Sequence, residues 1–278
     1  MESAGGGLPP KQDSTTMLTA IPLGAHSPKL DELRALRSKA GRREQGRFAV
    51  EGPTMLAEAL RSGLVPEAIY ATSEAAPALL ADSETPACPF YEVPERAFGR
   101  LSDVATPHGL IAVFPLGMTS LEDLLASGKP LAMLCGISDP GNAGTLLRSA
   151  EIFGFGGAIF AGPAVEPHNP KVVRASMGAI FRLPIAVAER QGLYALAREA
   201  GYRVIATGPK GSPISVYRFP ARSILAIGNE RRGVGEGLDG WHDTVAIPQI
   251  GPGESLNAAV AGSIVFYAFA SDRTSLKP

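Results

Sequence analysis

Residues 131–150 read LAMLCGISDPGNAGTLLRSA, and this stretch joins an uncharged apolar run to a polar loop and then to a helix. The apolar run, 131–137, predicts a buried strand, and the residues from 143 to 153 predict the helix. The same alternation recurs through the second half of the chain. Further strands are predicted at 157–162, 182–187, 202–207, 223–228 and 244–248, and further helices at 171–178, 190–200 and 256–270. Short apolar strands separated by helices indicate an α/β fold with a parallel sheet that helices cover on both faces.

The residues before this block predict a smaller α/β domain. A helix begins at Ser27-Pro28 and is predicted to end at Gly41, a strand follows at Arg47–Gly52, and a second helix covers Pro53–Gly63. Further strands are predicted at 68–71, 89–93 and 110–114, and further helices at 74–81 and 95–101. The predicted organisation is a disordered tail rich in Gly, Pro, Ser and Thr, a small domain, a linker and a large domain, at residues 1–25, 26–115, 116–128 and 129–274.

Composition and charge exclude several classes of protein. The 278 residues carry a formal net charge of −1, so any surface that binds nucleic acid has to be local. The two cysteines, Cys88 and Cys135, are too few for a disulfide framework, and no spacing of Cys and His suits a metal. The N-terminus lacks the features of a signal peptide, and the longest uncharged apolar stretch, 256–270, is shorter than the ~20 residues of a membrane helix. We therefore expect a soluble cytoplasmic protein that needs no metal and contacts no membrane.

Polar loops follow the predicted strands of the large sheet. SDPGNAG follows 131–137, NERRGV follows 223–228, QIGPGESLN follows 244–248, and a fourth loop, TGPKG at 207–211, overlaps the last residue of the strand predicted at 202–207. Because ligands bind at the carboxyl ends of parallel strands, these loops should meet at one edge of the sheet. Neither the dinucleotide fingerprint nor the P-loop pattern is present, so the common nucleotide-binding motifs do not explain them.

The polar residues in these loops each have a purely structural alternative. Asn142 and Ser255 suit helix caps as well as ligand contacts, and Glu230 suits an ion pair with a neighbouring arginine as well as a ligand. Arg148 is either a solvated helix residue or a group that binds phosphate. Its mostly apolar surroundings favour the second role, because a guanidinium there needs an anionic partner.

Basic residues form two further candidate surfaces. Lys171 and Arg174 are three residues apart and share one face of a helix start, which is either solvated or binds phosphate. Residues 29–47 hold seven basic and three acidic residues, and Arg42 and Arg43 are among the basic ones. A charge run of this kind is usually a solvated face, and an RNA contact is the alternative.

Together these stretches resemble the SpoU/TrmH family of RNA ribose 2′-O-methyltransferases, within the larger SPOUT group. Three motifs carry the resemblance in the correct order: DPGNAGTLLRSA with Asn142 and Arg148, AIGNERRGV with Gly-Asn-Glu at 228–230, and IPQIGPGESLNAAVAG with Ser-Leu-Asn at 255–257. KVVRASMGA, between the first two motifs, also fits the family. The resemblance covers 131–270, and RREQGRFAVEG in the first block resembles the small, ribosomal-protein-like substrate-binding domain that many members carry.

The resemblance implies properties that the residue pattern does not show. The family's catalytic domain is a parallel-sheet SPOUT domain whose C-terminal segment forms a trefoil knot, S-adenosylmethionine binds within it, and members are usually homodimers. The implied substrate is structured RNA, with large-subunit rRNA preferred and tRNA as the alternative. A protein of the same fold that binds RNA without methylating it is the competing interpretation, which the presence of the motif residues argues against.

The resemblance also implies a role for each candidate residue. Arg148 is the catalytic residue, and because a guanidinium stays protonated, we expect it to bind the target phosphate and stabilise the developing alkoxide. Glu230 and Asn257 orient the cofactor or the ribose, and Asn142 lies on the substrate side. Charge and spacing, and not the resemblance, assign Arg42, Arg43, Lys171 and Arg174 to RNA. The residues assigned to the cofactor pocket are Thr207, Gly208, Gly228, Ile247, Ile250, Ser255, Leu256 and Ala259.

Overall fold

The three-dimensional structure is a computed structural model that describes residues 19–81, 86–104, 106–229, 233–234, 242–253 and 255–274. These residues form two β-sheets, one of five strands in the first half of the chain and one of six strands in the second half. No helix within the described ranges is long and apolar enough to cross a bilayer.

The first half is a mixed sheet flanked by helices. Its elements are, in chain order, strand β1 (Ile21–Pro22), helices α1 (Pro28–Ala35) and α2 (Lys39–Gln45), strand β2 (Arg47–Glu51), helix α3 (Pro53–Arg61), strand β3 (Ala68–Thr72), helix α4 (Ala76–Ala81), strand β4 (Phe90–Val93), helix α5 (Glu95–Phe98) and strand β5 (Leu110–Pro115). The strand order is β1-β4-β3-β5-β2, with β5 antiparallel to both of its neighbours and β4 parallel to both of its own. The leucines at helical spacing in and just after α1, Leu30, Leu33 and Leu36, are buried against one face of this sheet.

The prediction of a disordered tail at residues 1–25 is wrong at its C-terminal end. Ile21 pairs with Tyr91 and Pro22 with Glu92, which adds β1 to the edge of the small sheet beside β4. The backbone N–H of Leu23 then donates to the carbonyl of Glu92 at 2.9 Å. Residues 1–18 of the predicted tail lie outside the described residues.

The prediction that Gly41 ends a helix is also wrong, because Gly41 lies inside α2. Its backbone N–H donates to the Ser38 hydroxyl, which caps this second helix at 3.0 Å. A Cβ at position 41 would clash with the carbonyl group of Ala35 in α1. The glycine therefore permits the close approach of two consecutive helices, and α2 ends instead at Gly46, whose φ is 63°.

The predicted linker, 116–128, contains helix α6 (Leu121–Ala126). Ser120 caps it by accepting a hydrogen bond from the backbone N–H of Asp123 at 3.0 Å. Leu124 and Leu125 are buried in a hydrophobic core of the second half. The segment between the domains is therefore packed onto the large domain.

The second half confirms the predicted parallel sheet. Its elements are strand β6 (Leu131–Cys135), helix α7 (Pro140–Ile152), strand β7 (Gly157–Ala161), helices α8 (Pro170–Ala175) and α9 (Ala179–Arg182), strand β8 (Ile185–Ala188), helix α10 (Arg190–Glu199), strands β9 (Arg203–Pro213), β10 (Ser223–Gly228) and β11 (His242–Ala246), and helix α11 (Ala258–Thr274). The strand order is β11-β9-β10-β6-β7-β8, and every neighbouring pair is parallel.

Several predicted elements of this half have different boundaries in the structure, and the loop predicted at 207–211 lies within β9 (Arg203–Pro213). The helix predicted at 171–178 is broken into α8 and α9, because Met177 and Gly178 both have a positive φ. The strand predicted at 182–187 begins only at Ile185, since Arg182 still belongs to α9.

Helices cover both faces of the large sheet, as the sequence predicts. Side chains alternate along β6: Ala132 and Leu134 face the core that α7, α8 and α11 cover, whereas Leu131 and Met133 face the core under α6 and α10. The first of these cores also includes Phe48 and Val50 of β2. One continuous apolar core therefore joins the two domains.

Arg42 is buried between the two domains. The prediction that it contacts RNA is therefore wrong. Only 2% of the residue is exposed. Its guanidinium donates to the carbonyl oxygens of Leu36 and Arg37 at 2.8 and 3.0 Å, and to the Glu166 carboxylate through Nε at 2.9 Å and through Nη2. Glu166 precedes α8 in the large domain, so this ion pair fixes α2 to the second half of the chain.

Two further contacts support the same interface. The His168 ring lies against the Phe48 ring, with centroids 4.6 Å apart, and burial together with the charge of Arg42 lowers the pKa of His168 to about 4. Arg182 of α9 donates to Glu58 of α3 at 2.9 Å and also binds Glu151 of α7. The two domains are thus joined by the apolar core, by the neutral His168, and by the ion pairs of Arg42 and Arg182.

We predict that Arg42→Ala lowers the free energy of unfolding by about 3 kcal/mol, because it leaves the Glu166 carboxylate partly buried without its partner. Arg43 is the matched control, since it follows Arg42 in α2 but is exposed. Arg43→Ala should change the free energy of unfolding by about 0.5 kcal/mol or less. Urea unfolding of both variants measures the difference, and equal stability of the two would contradict the proposed role of Arg42.

Candidate active site

A cleft of about 640 Å³ opens at the carboxyl ends of β9, β10 and β11. Six of the eight residues that the sequence assigned to the cofactor line it: Thr207, Gly208, Gly228, Ile247, Ser255 and Leu256. Ile250 is fully exposed and Ala259 is buried in the first turn of α11, and neither lines this cleft. The polar strand ends therefore meet at one edge of the sheet, as parallel strands require.

The loops after β6 and β10 are joined directly. In the sheet, Gly228 pairs with Cys135, so the two strands end side by side. The side-chain amide of Asn229 donates to the carbonyl of Gly136 at 3.4 Å. Asn229 belongs to the second motif and lines the cleft, but nothing in its sequence context distinguishes it from its neighbours in that motif.

The first and third motifs meet through their asparagines. Asn257 donates through Nδ2 to Oδ1 of Asn142 at 2.9 Å, although 115 positions separate the two residues. The backbone of Asn142 is itself held by Asp139, whose carboxylate accepts its N–H at 2.7 Å and caps α7. The sequence left open whether Asn142 caps this helix, and the structure shows that Asp139 caps it instead. An Asp directly before Pro140 is a recognisable cap signal.

Asn257 also begins the last helix. Its Oδ1 accepts the backbone N–H groups of Ala259 and Val260 at 2.9 and 3.2 Å. Asn257 is therefore the residue that caps α11, the role that the sequence offered to Ser255. Ser255 is exposed at the cleft instead.

Arg148 lies on α7, about 9 Å along the helix axis from Asn142. Its side chain is exposed and has neither a hydrogen bond nor an ion pair within the described part of the chain. A permanently charged group in this state is available to an external anion. Glu230, the remaining predicted site residue of the second motif, lies outside the described residues.

The predicted basic residues of α8 lie beside α7, because the two helices pack together. The two helices pack closely at Gly144, where a Cβ would lie 2.7 Å from the carbonyl carbon of Ala175. Lys171 is exposed, and Arg174 faces the crevice between the domains together with Arg37. Neither Lys171 nor Arg174 forms an ion pair with a described residue.

Comparison with known proteins identifies the family. Residues 130–267 match the model of the SpoU rRNA Methylase family, and residues 27–112 match that of the MRM3-like substrate binding domain. An uncharacterized tRNA/rRNA methyltransferase of Mycolicibacterium vanbaalenii is 30% identical over 86% of this chain and 83% of its own length. The chain belongs to the SpoU rRNA methylase family. This membership confirms the resemblance that the three motifs indicated.

Two rRNA methyltransferases extend the comparison. The 23S rRNA (guanosine(2553)-2′-O)-methyltransferase RlmP of Bacillus subtilis is 28% identical over 87% of this chain and 96% of its own length. The AdoMet-bound rRNA methyltransferase from Sinorhizobium meliloti superposes with a TM-score of 0.80 and is 27% identical, covering 93% of this chain and 99% of that one. Both domains of the chain therefore have counterparts in these proteins.

We predict that the two hydrogen-bonding roles of Asn257 can be separated by substitution. Asn257→Ala removes the cap and should lower the free energy of unfolding by about 1 kcal/mol. Asn257→Asp keeps the acceptor that caps α11 but loses the donor to Asn142, so its stability should stay within about 0.5 kcal/mol of wild type.

Ser255→Ala is the control for this series, because Ser255 makes no capping bond. Chemical unfolding of the three variants measures the effect. A loss of stability in Ser255→Ala as large as that in Asn257→Ala would return the capping role to Ser255.

Proposed function

We propose that this protein transfers a methyl group from S-adenosylmethionine to the 2′-hydroxyl of a ribose in large-subunit rRNA. The hydrogen bond between Asn142 and Asn257 carries the proposal, because it unites the first and third family motifs beside the cleft. The B. subtilis and S. meliloti relatives are named as rRNA methyltransferases, which supports the choice of substrate.

The cleft suits the cofactor in size, shape and charge. Its volume of about 640 Å³ lies within the range of small-molecule pockets, and Ile227, Ile247 and Leu256 provide apolar walls for a flat ring. Gly208 and Gly228 line the cleft at the strand ends, and a Cβ at Gly228 would clash with the backbone of Gly233. No charged side chain belongs to the described lining, so no cation repels a sulfonium there. S-adenosylmethionine supplies an activated methyl group on that sulfonium.

Asn257 and Asn142 serve to orient the reacting groups. The Oδ1 atom of Asn257 is occupied by the helix cap, and one of its amide hydrogens binds Asn142. Its second amide hydrogen is the group that we assign to the ribose or the cofactor. Because the cap restrains the side chain, this donor is held in a defined direction before the ligand binds. We assign Glu230 to the same orienting role from its motif.

Arg148 binds the RNA at the reacting nucleotide. Its guanidinium is exposed and unpaired within the described residues, and its planar fork matches two phosphate oxygens. A guanidinium stays protonated at neutral pH, so its role is to hold the phosphate and to stabilise negative charge that develops on the ribose oxygen.

The remaining basic residues extend the RNA surface from the site to the small domain. Arg43 on α2 and Lys171 on α8 are exposed, and Arg174 faces the crevice between the domains. The buried pair of Arg42 and Glu166 fixes the positions of α2 and α8 relative to each other. We therefore assign RNA binding to Arg43, Lys171 and Arg174 and a purely structural role to Arg42.

We predict that the wild-type protein transfers labelled methyl groups from S-adenosylmethionine to unmodified 23S rRNA, and that Arg148→Ala abolishes the transfer. S-adenosylmethionine should bind Arg148→Ala with unchanged affinity in calorimetry, because Arg148 lines no part of the cleft. Mapping of 2′-O-methylation in the product rRNA identifies the nucleotide.

Label in tRNA alone would replace the rRNA assignment. Absence of transfer to any RNA by a wild-type protein that still binds the cofactor would overturn the proposed reaction. Loss of cofactor binding in Arg148→Ala would show that Arg148 contributes to the cofactor site, which would contradict its assignment to RNA.

We also propose that the protein is a homodimer that associates through α7 and α11. Four large apolar residues on these helices are exposed, Ile152, Val260, Ile264 and Tyr267. The three on α11 are four and three residues apart and share one helix face. A face of this kind is typical of a surface that another subunit covers.

We predict that Tyr267→Glu converts the dimer to a monomer, because a two-fold interface places each new carboxylate against the same apolar surface of the partner. Val65→Glu is the control, since Val65 is 68% exposed and lies in the small domain. Light scattering coupled to size exclusion measures both masses. A monomeric wild type, or a Tyr267→Glu variant that remains dimeric, would refute this interface.

We further propose that the C-terminal segment forms the trefoil knot that the family resemblance implies. At Gly262, α11 packs closely on α7 and β10, where a Cβ would meet the side chains of Leu146 and Ile227. A cytoplasmic location is proposed as well, since Cys88 and Cys135 are both free thiols.

A further inference from the structure

Arg190 lies across the ends of two strands at the same sheet edge as the cleft. It is the first residue of α10, and its guanidinium lies directly over Gly136 after β6 and Gly162 after β7. A Cβ at Gly162 would lie 2.8 Å from Nε, and one at Gly136 would lie 3.5 Å from Nη2. Both glycines have a positive φ, 64° and 70°. The two strand ends therefore form a surface without side chains on which this guanidinium rests.

This guanidinium has no partner within the described part of the chain. Its Nε is fully buried and makes no hydrogen bond, and the group takes part in no ion pair there. The adjacent Glu189 does not pair with it. Arginine carries five N–H donors and cannot lose its charge, so a half-buried guanidinium without a counter-ion is unfavourable.

The titratable groups around Arg190 do not neutralise it. Burial raises the pKa of Tyr194 and of Cys135 to about 12, and the positive charge of Arg190 opposes that shift only in part. Both side chains are therefore uncharged at neutral pH. The Tyr194 hydroxyl is also buried without a hydrogen-bond partner, in a residue that is only 9% exposed. The cluster thus combines one unpaired cation with one unpaired hydroxyl donor.

The cluster lies beside the reaction site. The carbonyl of Gly136, under the guanidinium, accepts the side-chain amide of Asn229, and Asn229 lines the cleft. Cys135 pairs in register with Gly228, another residue of the cleft. Neighbouring strands are about 4.8 Å apart, so Arg190 lies roughly one to two strand spacings, about 5 to 10 Å, from the cleft wall.

We propose that Arg190, together with the Tyr194 hydroxyl, binds a phosphate of the RNA strand that flanks the methylated nucleotide. The unpaired guanidinium and the unpaired hydroxyl are the features that require an oxyanion. Phosphate is favoured over the carboxylate of the cofactor because Arg190 does not line the cleft, and because its fork matches two phosphate oxygens. The inference rests on the proposed function, since it takes RNA as the ligand.

The experiment compares Arg190→Gln with Arg198→Gln. Arg198 is a matched control at the other end of α10, where it is exposed and forms no ion pair with a described residue. Binding of each protein to unmodified 23S rRNA is measured without cofactor over a series of salt concentrations. Arg190→Gln should weaken binding about tenfold and reduce the slope of log K against log salt by about 0.7 to 1, as expected for one lost phosphate contact. Arg198→Gln should match wild type.

Two further measurements separate this role from the alternatives. Affinity for S-adenosylmethionine should be unchanged in Arg190→Gln, and thermal stability should be equal or higher, because the substitution removes a charge that nothing in the chain pairs. Reduced cofactor affinity with normal RNA binding would assign Arg190 to the cofactor and overturn the proposal. A lower melting temperature with normal RNA binding would make the residue structural and also overturn it.

The wild-type protein distinguishes this inference from the proposed function. If wild type binds and methylates 23S rRNA while Arg190→Gln binds it with the same affinity and salt slope, only the role of Arg190 is refuted. If wild type neither binds nor methylates the rRNA, the proposed function and the phosphate site both fail.

Discussion

The position of β10 in the large sheet is the constraint on which the candidate site depends. β10 lies between β6 and β9, although the chain forms β7 and β8 before it reaches β9. Because each neighbouring pair is parallel, the carboxyl ends of these strands face the same edge of the sheet. The register places Gly228 beside Cys135, so the loop that begins at Asn229 starts next to the loop that leads into α7. Without this pairing, the first two motifs would lie apart.

Asn257 then couples the stability of the last helix to the geometry of the site. The same side chain caps α11 and binds Asn142, so the start of α11 is held against the start of α7. Farther along, the hydroxyls of Ser149 and Ser263 are 2.7 Å apart and join the two helices again. Two structural requirements therefore explain a polar residue, Asn257, at the start of the apolar helix α11. The exposed amide groups at the first turn must be satisfied, and the third motif must be held beside the first.

Arginines that look alike in the sequence have three different environments. Arg42 is buried in an ion pair with a residue 124 positions away, Arg43 beside it is exposed, and Arg190 is half-buried with no partner among the described residues. Charge and spacing predicted one basic surface for Arg42 and Arg43 together and drew no attention to Arg190. A local pattern cannot separate these cases, because the exposure of a side chain depends on which distant element packs against it.

Local errors in the predicted elements have the same origin. Gly41 suggested a helix end, but the close approach of α1 to α2 requires a residue without a side chain there. Met177 and Gly178 break a helix that the residue pattern predicts as continuous. The alternation of strands and helices, the parallel sheet and the three motifs follow from the sequence by itself, because periodicity, capping and glycine placement act over a few residues. Only the tertiary structure decides that Asn142 meets Asn257, that Arg42 joins the domains and that Arg190 lies unpaired beside the cleft. Those outcomes depend on contacts between segments that the sheet order brings together from distant parts of the chain.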